Sequence, residues 1–222
     1  TLDYTQNGKS VNKEYTLSET EEKILSAPEI PDYLTRFYMS MLAYGYEMTW
    51  VASNADAPNR VISLVYRVTE DGKTYYLASD TGEDGTDHTS VGYYTEPNGT
   101  SYYVYTETSV SDYVIRTKVG ENDIANYRFG NTDIYEDIFD SSAYTYDEAT
   151  DTYVRTSDIA IEKWITWENL TLRDVRLTVG EGDVITVKGV FYMSDGSRGN
   201  DAVITIRNVG CTTVTIPQNS IG

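Results

Sequence analysis

Hydrophobic and polar residues alternate most regularly in the last third of the chain, residues 172–217. Val175, Leu177 and Val179 alternate with Arg176 and Thr178. Ile185, Val187, Phe191 and Met193 share one parity with Gly189, and Val203, Thr205, Arg207 and Val209 alternate with Ala202, Ile204 and Ile206. Successive side chains of a pleated strand face opposite sides of a sheet, so a period of two predicts strands. The alternation breaks at Gly180-Glu181-Gly182-Asp183, at residues 195–201 (DGSRGND) and at Asn208-Val209-Gly210. Gly, Asn and Asp accept the positive φ of tight turns, so these breaks predict hairpins. The stretch reads as an antiparallel meander with a closing strand that ends in Val214-Thr215-Ile216-Pro217.

Upstream the pattern changes several times. Residues 1–21 are polar without a sustained period, which predicts a flexible or loosely docked arm of the kind that tethers a domain. Ser18 followed by Glu21 predicts the cap of a short helix through Ile24 and Leu25, ended by Pro28 and Pro31. Residues 32–44 hold the best helical pattern: Leu34, Phe37, Tyr38, Met41 and Leu42 form one apolar stripe, with Asp32 as N-cap and Gly45 just past the end. From Tyr46 the period is two. Strands are predicted over residues 46–51, 61–69, 74–79, 91–95, 101–108 and 112–118. A loop is expected over 54–60, a hairpin turn at Asp71-Gly72, an acidic loop over 80–90 and a turn at Glu96-Pro97-Asn98-Gly99. Residues 120–142 read as irregular with one helical turn over 132–139, and residues 144–146 and 152–154 as another hairpin. Residues 159–167 suit either a helix or a strand. No composition shift marks an internal boundary, so the expected organisation is an arm over 1–27 and a single β-rich domain over 28–222.

Charge and composition narrow the function classes. With 17 Lys+Arg against 35 Asp+Glu, the net charge is −18, which repels nucleic acid and anionic membrane surfaces. No apolar run approaches the ~20 residues needed to cross a bilayer, so no transmembrane segment is expected. The chain starts at Thr1 without Met, as after removal of a leader or trimming of a longer sequence. It has 21 Tyr against 4 Phe, few Lys and many Thr, Ser, Asn and Gly, the composition of an extracellular surface protein. Cys211 is the only cysteine and sits among Val209, Val214 and Ile216, which predicts a buried thiol in a strand. The only histidine, His88, falls in the acidic loop, far from it in sequence.

Candidate chemistry is sparse. Asp80, Glu83, Asp84 and Asp87 supply oxygens for Ca²⁺, but their spacing is not that of an EF-hand, and residues 195–201 fit no better; solvated turns are expected. The surplus of Asp and Glu offers carboxylate pairs for glycoside hydrolysis, yet nothing singles out two of them. G-x-S-x-G, P-loop, G-x-G-x-x-G and H-E-x-x-H motifs are absent, so no catalytic residue, metal ligand or cofactor is assigned. The aromatic surplus is the one real excess. Tyr93, Tyr94, Tyr102, Tyr103, Tyr105 and Tyr113 load the predicted strands. They suit cross-strand pairing, a stacking platform for sugar rings or an extended chain, or the lining of a cavity for an acyl chain. Trp50, Trp164 and Trp167 suit either core or ligand contact. Asn98-Gly99-Thr100 and Asn169-Leu170-Thr171 fit the N-glycosylation pattern.

The element order is helix, long antiparallel meander, a break with a short helix, then hairpins ending in residues 203–217 (VITIRNVGCTTVTIP). Over residues 30–217 this order is similar to the lipoprotein-carrier (LolA-like) superfamily and related bacterial surface lipoproteins. The resemblance implies a half-open barrel, a curved sheet wrapped over helices around an apolar lipid cavity. It carries over no ligand residue, because that family has no invariant site motif. The expected fold is therefore α+β: a curved, mostly antiparallel sheet with one main packed helix. The expected function is that of a non-enzymatic domain outside the cytoplasm, anchored to a bacterial cell surface, that binds a lipid or other amphiphile in the concave face of the sheet. Two alternatives stand beside it: an adhesion module that grips a carbohydrate, protein or cell-surface polymer through exposed Tyr and Trp, and a hydrolase with paired carboxylates.

Overall fold

The computed structural model describes residues 2–6, 9–13, 30–54, 57–82, 87–107, 113–128, 133–164 and 167–222. Strands β1 (Leu2–Gln6) and β2 (Lys9–Lys13) pair as an antiparallel hairpin. Residues 1–21, expected as a flexible or loosely docked arm, carry no sustained period that predicts these strands. Between them in sequence stands Asn7-Gly8, a dipeptide suited to hairpins. The short helix expected through Ile24 and Leu25 lies outside the described residues.

Helix α1 (Ile30–Tyr44) places Pro31 in its first turn, where the missing N–H has no intrahelical partner to lose. Asp32 is thus inside the helix and not its N-cap. Leu34, Phe37 and Met41 are buried. Leu42, counted in the expected stripe, is 58% exposed, because 100° per residue carries it more than a quarter turn past Met41. Gly45 ends the helix with φ +80°, and a Cβ there would lie 2.3 Å from the Val68 carbonyl oxygen, so only glycine fits.

A meander follows: β3 (Gly45–Asn54), β4 (Ala57–Thr69), β5 (Thr74–Thr81), β6 (Asp87–Asn98), β7 (Ser101–Glu107) and β8 (Val114–Gly120). Two expected loops are shorter than the sequence suggested. The strands absorb residues 57–60 and both flanks of the acidic stretch, since Asp80 pairs with Thr89 and Thr81 with Asp87. Turns of 3₁₀ helix at Ile124–Tyr127 and Ser141–Ala143 flank helix α2 (Asp133–Phe139). Then come β9 (Tyr144–Asp147), β10 (Thr152–Arg155), β11 (Ile159–Trp164), β12 (Trp167–Gly180), β13 (Val184–Tyr192) and β14 (Arg198–Arg207). The ambiguous 159–167 stretch is thus strand. A bulge in β12 between Arg173 and Arg176, with Asp174 at φ 54°, shifts parity and puts Leu170 and Leu172 on the same face as Val175 and Leu177.

With a last short strand, β15 (Ser220–Ile221), the strands β3 to β14 form one open sheet of thirteen in the order β15-β8-β7-β6-β5-β4-β3-β14-β13-β12-β10-β9, with β11 also on β12. The fold is α+β, with a curved antiparallel sheet, one main helix and a second, shorter one. Only β15 (Ser220–Ile221) pairs in parallel, on β8. The expected closing strand over 211–217 does not form. β14 already has β13 and β3 on its two edges, and Asn208 and Gly210 at positive φ turn the chain away. Cys211, expected buried, is therefore exposed.

The core lies on one face of the sheet, here the inner face. Trp50, Leu64, Leu177, Ile185, Phe191 and Ile204 from five neighbouring strands are fully buried there with Leu34, Met41, Tyr135 and Ile138 of the two helices. Phe139 of α2 stacks on Phe37 and Tyr38 of α1 at 5.6 and 5.3 Å, locking helix to helix. Among the described residues no helix is long and apolar enough to cross a membrane.

Candidate functional site

The tandem tyrosines Tyr75-Tyr76, Tyr93-Tyr94 and Tyr102-Tyr103 each send one ring to either face of the sheet, because neighbouring side chains in a strand point opposite ways. On the inner face, register aligns Ile206, Met48, Tyr66, Tyr76, Tyr93, Thr106 and Ile115 in one row across β14 to β8. Exposure grows along that row. Ile206 and Met48 are fully buried, Tyr66 is 5% exposed, Tyr76, Tyr93 and Thr106 are half-buried, and Ile115 is 45% exposed. Helix α1 packs on β3 and α2 on β11, so the helical cover sits over the centre of the sheet. The core face continues past it as a tyrosine-lined surface.

The rings on that surface are ordered. Tyr76 and Tyr93 lie parallel, 8° apart in plane, with centroids at 6.2 Å. Tyr127, from the 3₁₀ turn, meets Tyr93 edge-on at 5.2 Å. The Arg128 guanidinium lies 4.6 Å from the centroid of Tyr102 and donates to Thr95 Oγ1 at 3.4 Å. Thr95 in turn shares a 2.7 Å hydrogen bond with Thr74, both hydroxyls being buried. This clamp pins residues 124–128 against β6 and leaves one cation beside the rings. Burial, and then the neighbouring Tyr93 phenol, push the Tyr76 phenol above its ordinary pKa, so it is a neutral hydrogen-bond donor at any physiological pH.

The outer-face tyrosines are used differently. Tyr94 Oη donates to Glu107 Oε1 at 2.9 Å and Tyr105 Oη to Glu96 Oε1 at 3.3 Å, while Tyr75 packs on Tyr94 at 4.6 Å. Glu107 lies over Gly92, where a Cβ would come within 2.2 Å of Oε2. Hydrogen bonds within the sheet thus hold the hydroxyls of Tyr94 and Tyr105.

The structure scatters the other sequence candidates. Trp50 is core, stacked on Phe191 at 5.7 Å. Trp164 and Trp167 face each other in backbone register at the β11–β12 connection, and their side chains lie outside the described residues. Tyr113 is exposed. Asp80 is gripped by Arg60 at 3.0 and 3.3 Å, Glu83 and Asp84 lie outside the described residues, and Asp87 and His88 belong to β6. Asp195 accepts from the Ser197 amide at 2.9 Å, a turn contact, and Asp201 pairs with Arg198 at 2.6 Å. Asn98 and Asn169 are both exposed. Among the described residues no three His, Cys, Asp or Glu side chains come together as a metal site. Sequence reasoning missed Tyr76, Tyr127 and Arg128. The parity of the Tyr75-Tyr76 pair was a usable signal for the first, but nothing local marks Tyr127 and Arg128 inside a stretch without period. Comparison with known protein families and with curated proteins finds no match for the chain.

Proposed function

We propose that the chain is a non-enzymatic binding domain of the extracytoplasmic cell surface that takes an apolar or amphiphilic ligand on the inner face of β5 to β8. The observation that carries this reading is the row from Met48 to Ile115, along which the core face of the sheet becomes progressively exposed. Apolar surface left beside a rigid, prepacked core is ready to exclude water with a ligand at small entropic cost. The Arg128 cation and the neutral Tyr76 hydroxyl supply polar anchors at the edge of the rings. The filled, helix-covered centre of the sheet offers no such room, so the ligand is assigned to the β5–β8 half alone.

The test is native mass spectrometry of the purified chain, alone and with added palmitate. A 1:1 adduct that Tyr93→Ala weakens at least fivefold, with intrinsic tryptophan fluorescence and thermal unfolding unchanged, is the expected result. An adduct of equal strength in Tyr76→Ala and Tyr93→Ala overturns the site. The parallel faces of Tyr76 and Tyr93 also suit stacking on sugar rings; glycan-array binding lost in Tyr93→Ala, with no palmitate adduct, moves the assignment to a carbohydrate.

A further inference from the structure

At one end of the long sheet stands β8, seven residues from Val114 to Gly120, with only the short β15 beyond it. Register with β7 sets Ile115 and Thr117 on the inner face, and Arg116 and Lys118 on the outer face. All four side chains are exposed. On its outward side β8 carries β15 in parallel, which places Ser220 beside Val114 and Ile221 beside Ile115. Among the described residues no strand pairs with the outward side of Thr117 to Gly120. The Arg116 guanidinium lies 5.1 Å from the centre of the Tyr103 ring and donates to the Gly222 carbonyl oxygen at 2.9 Å. Gly222 lies so close to β8 that a Cβ there would meet the Arg116 carbonyl oxygen at 2.3 Å, a fit open to glycine alone. This edge therefore already holds an extended segment by its backbone, over two residues only.

We infer that the edge of β8 is a docking site for an extended peptide of a partner protein, a strand added in parallel whose side chains alternate between apolar and acidic. An edge strand presents unpaired N–H and C=O groups, and strand addition draws affinity from that main chain and specificity from alternate side chains. The direction is the one β15 already takes. On the inner face the added strand meets Ile115, beside which the apolar Ile221 now lies, so apolar residues belong at those positions. On the outer face it meets Arg116 and Lys118, so acidic residues belong there, because opposite charges across neighbouring strands attract and like charges repel. Arg116 is engaged by the very segment that an incoming strand replaces, and passes to a carbonyl of that strand. Lys118 enters none of the ion pairs among the described residues. In a chain of net charge −18, two cations on one edge steer an acidic strand to it while the rest of the surface repels one. A second copy fits less well. Its β9 edge is four residues long, its Asp147 is held by Thr150 and the Ala149 amide, and two chains of this charge repel each other.

The probe is a fluorescein-labelled peptide of about eight residues that alternates isoleucine and glutamate, long enough to span β8. Fluorescence anisotropy is expected to show saturable 1:1 binding to the full chain. Hydrogen exchange is expected to slow at residues 114–120 and to quicken at residues 220–221 as β15 is displaced. Lys118→Glu, an exposed change whose fold circular dichroism checks, is expected to weaken binding about tenfold. The counterpart peptide with lysine in place of glutamate is expected to prefer that variant to wild type. N-methylation of alternate residues removes the N–H groups along one side of the peptide, and is expected to abolish binding in one parity and spare it in the other. Tyr93→Ala is expected to bind the peptide as wild type does. Equal binding by wild type and Lys118→Glu, or indifference to N-methylation in both parities, overturns the inference. Exchange slowed at β9 or β11 in place of β8, or binding lost in Tyr93→Ala, assigns the peptide to another surface and overturns it as well. A chain that associates with itself in the absence of peptide, with residues 114–120 protected, gives the edge to a second copy and overturns the partner.

Discussion

Glu47 shows how much one residue can hold on an open sheet. It points to the outer face of β3, yet it is only 6% exposed. Arg67 Nε on one neighbouring strand donates to its Oε2 at 2.7 Å, and Arg207 Nε on the other to its Oε1 at 2.7 Å. The row continues in register as Arg207, Glu47, Arg67, Tyr75, Tyr94, Tyr105 and Arg116. Burial alone would raise the Glu47 pKa, but the Arg207 and Arg67 guanidinium groups outweigh it and hold the carboxyl below its ordinary value. A carboxyl depressed in the folded state stabilises above the unfolded pKa and loses that contribution as pH falls through the folded one. Glu47→Gln is expected to cost about 1–2 kcal/mol at pH 7, less than a fully buried pair, because both arginines remain half exposed and return to water. In urea unfolding the gap between wild type and variant should shrink as pH drops below 4. A gap that stays constant to pH 2 contradicts the role given to the carboxylate.

At the level of elements, legibility followed local period. The helix over residues 32–44, the hairpin at Asp71-Gly72, the helical turn over 132–139 and the β12–β14 meander all stand where their patterns put them, since each is decided within a dozen residues. The closing strand failed for a reason no local window contains: alternation across Val209, Val214 and Ile216 is a strand signal, but β14, the strand just before it, is already paired on both edges. Cys211 went with it. The tyrosine surface was half legible, because alternation separates Tyr93 from Tyr94 but not which face the helices will cover. The junction of α1 and β3 is where local and distant demands coincide. Gly45→Ala forces a Cβ against the Val68 carbonyl at a φ that L residues avoid, and is expected to cost about 2–4 kcal/mol. A lowered urea midpoint with unchanged slope is the outcome that fits. Arg128→Ala is a milder break. It removes the clamp on Thr95 and Tyr102, so hydrogen exchange should quicken at the amides of residues 124–128 while thermal unfolding moves by only a few degrees, about 1 kcal/mol or less.

Across the whole molecule, the two meanders become one sheet only through β14 and β3, whose Arg207 and Glu47 are 160 residues apart in sequence. Contacts so distant are paid for late in folding, which is why sequence pattern alone does not announce them. What binds the helical layer to this long sheet is a set of buried tyrosines. Tyr46 Oη donates to Tyr135 Oη at 3.0 Å, and Tyr135 Oη points to Met48 Sδ at 3.2 Å, so a helix α2 phenol is tied to β3 from both sides. Tyr66 meets Tyr46 edge-on at 6.1 Å. Burial pushes all three phenols up, Tyr66 to about 12, with Tyr46 and Tyr135 also raised well above the ordinary tyrosine value. A group whose pKa is raised in the folded state keeps its full contribution below its unfolded pKa, which for tyrosine is about 10, and loses it as pH climbs toward the folded value. Tyr66 therefore removes about 1.4 kcal/mol of stability per pH unit between about 10 and 12, and Tyr46 and Tyr135 act in the same direction. Three such groups draw together on a domain margin of only about 5–15 kcal/mol. Titration followed at 295 nm should accordingly show the exposed tyrosines ionising smoothly, then a steep cooperative step near pH 11–12 that coincides with loss of the circular dichroism signal, as phenols that cannot ionise in place are released by unfolding. Tyr135→Phe keeps the packing, removes one of those phenols and should shift the step to higher pH. A smooth titration without a structural transition would mean that these rings reach water in the native state and do not hold the layers together.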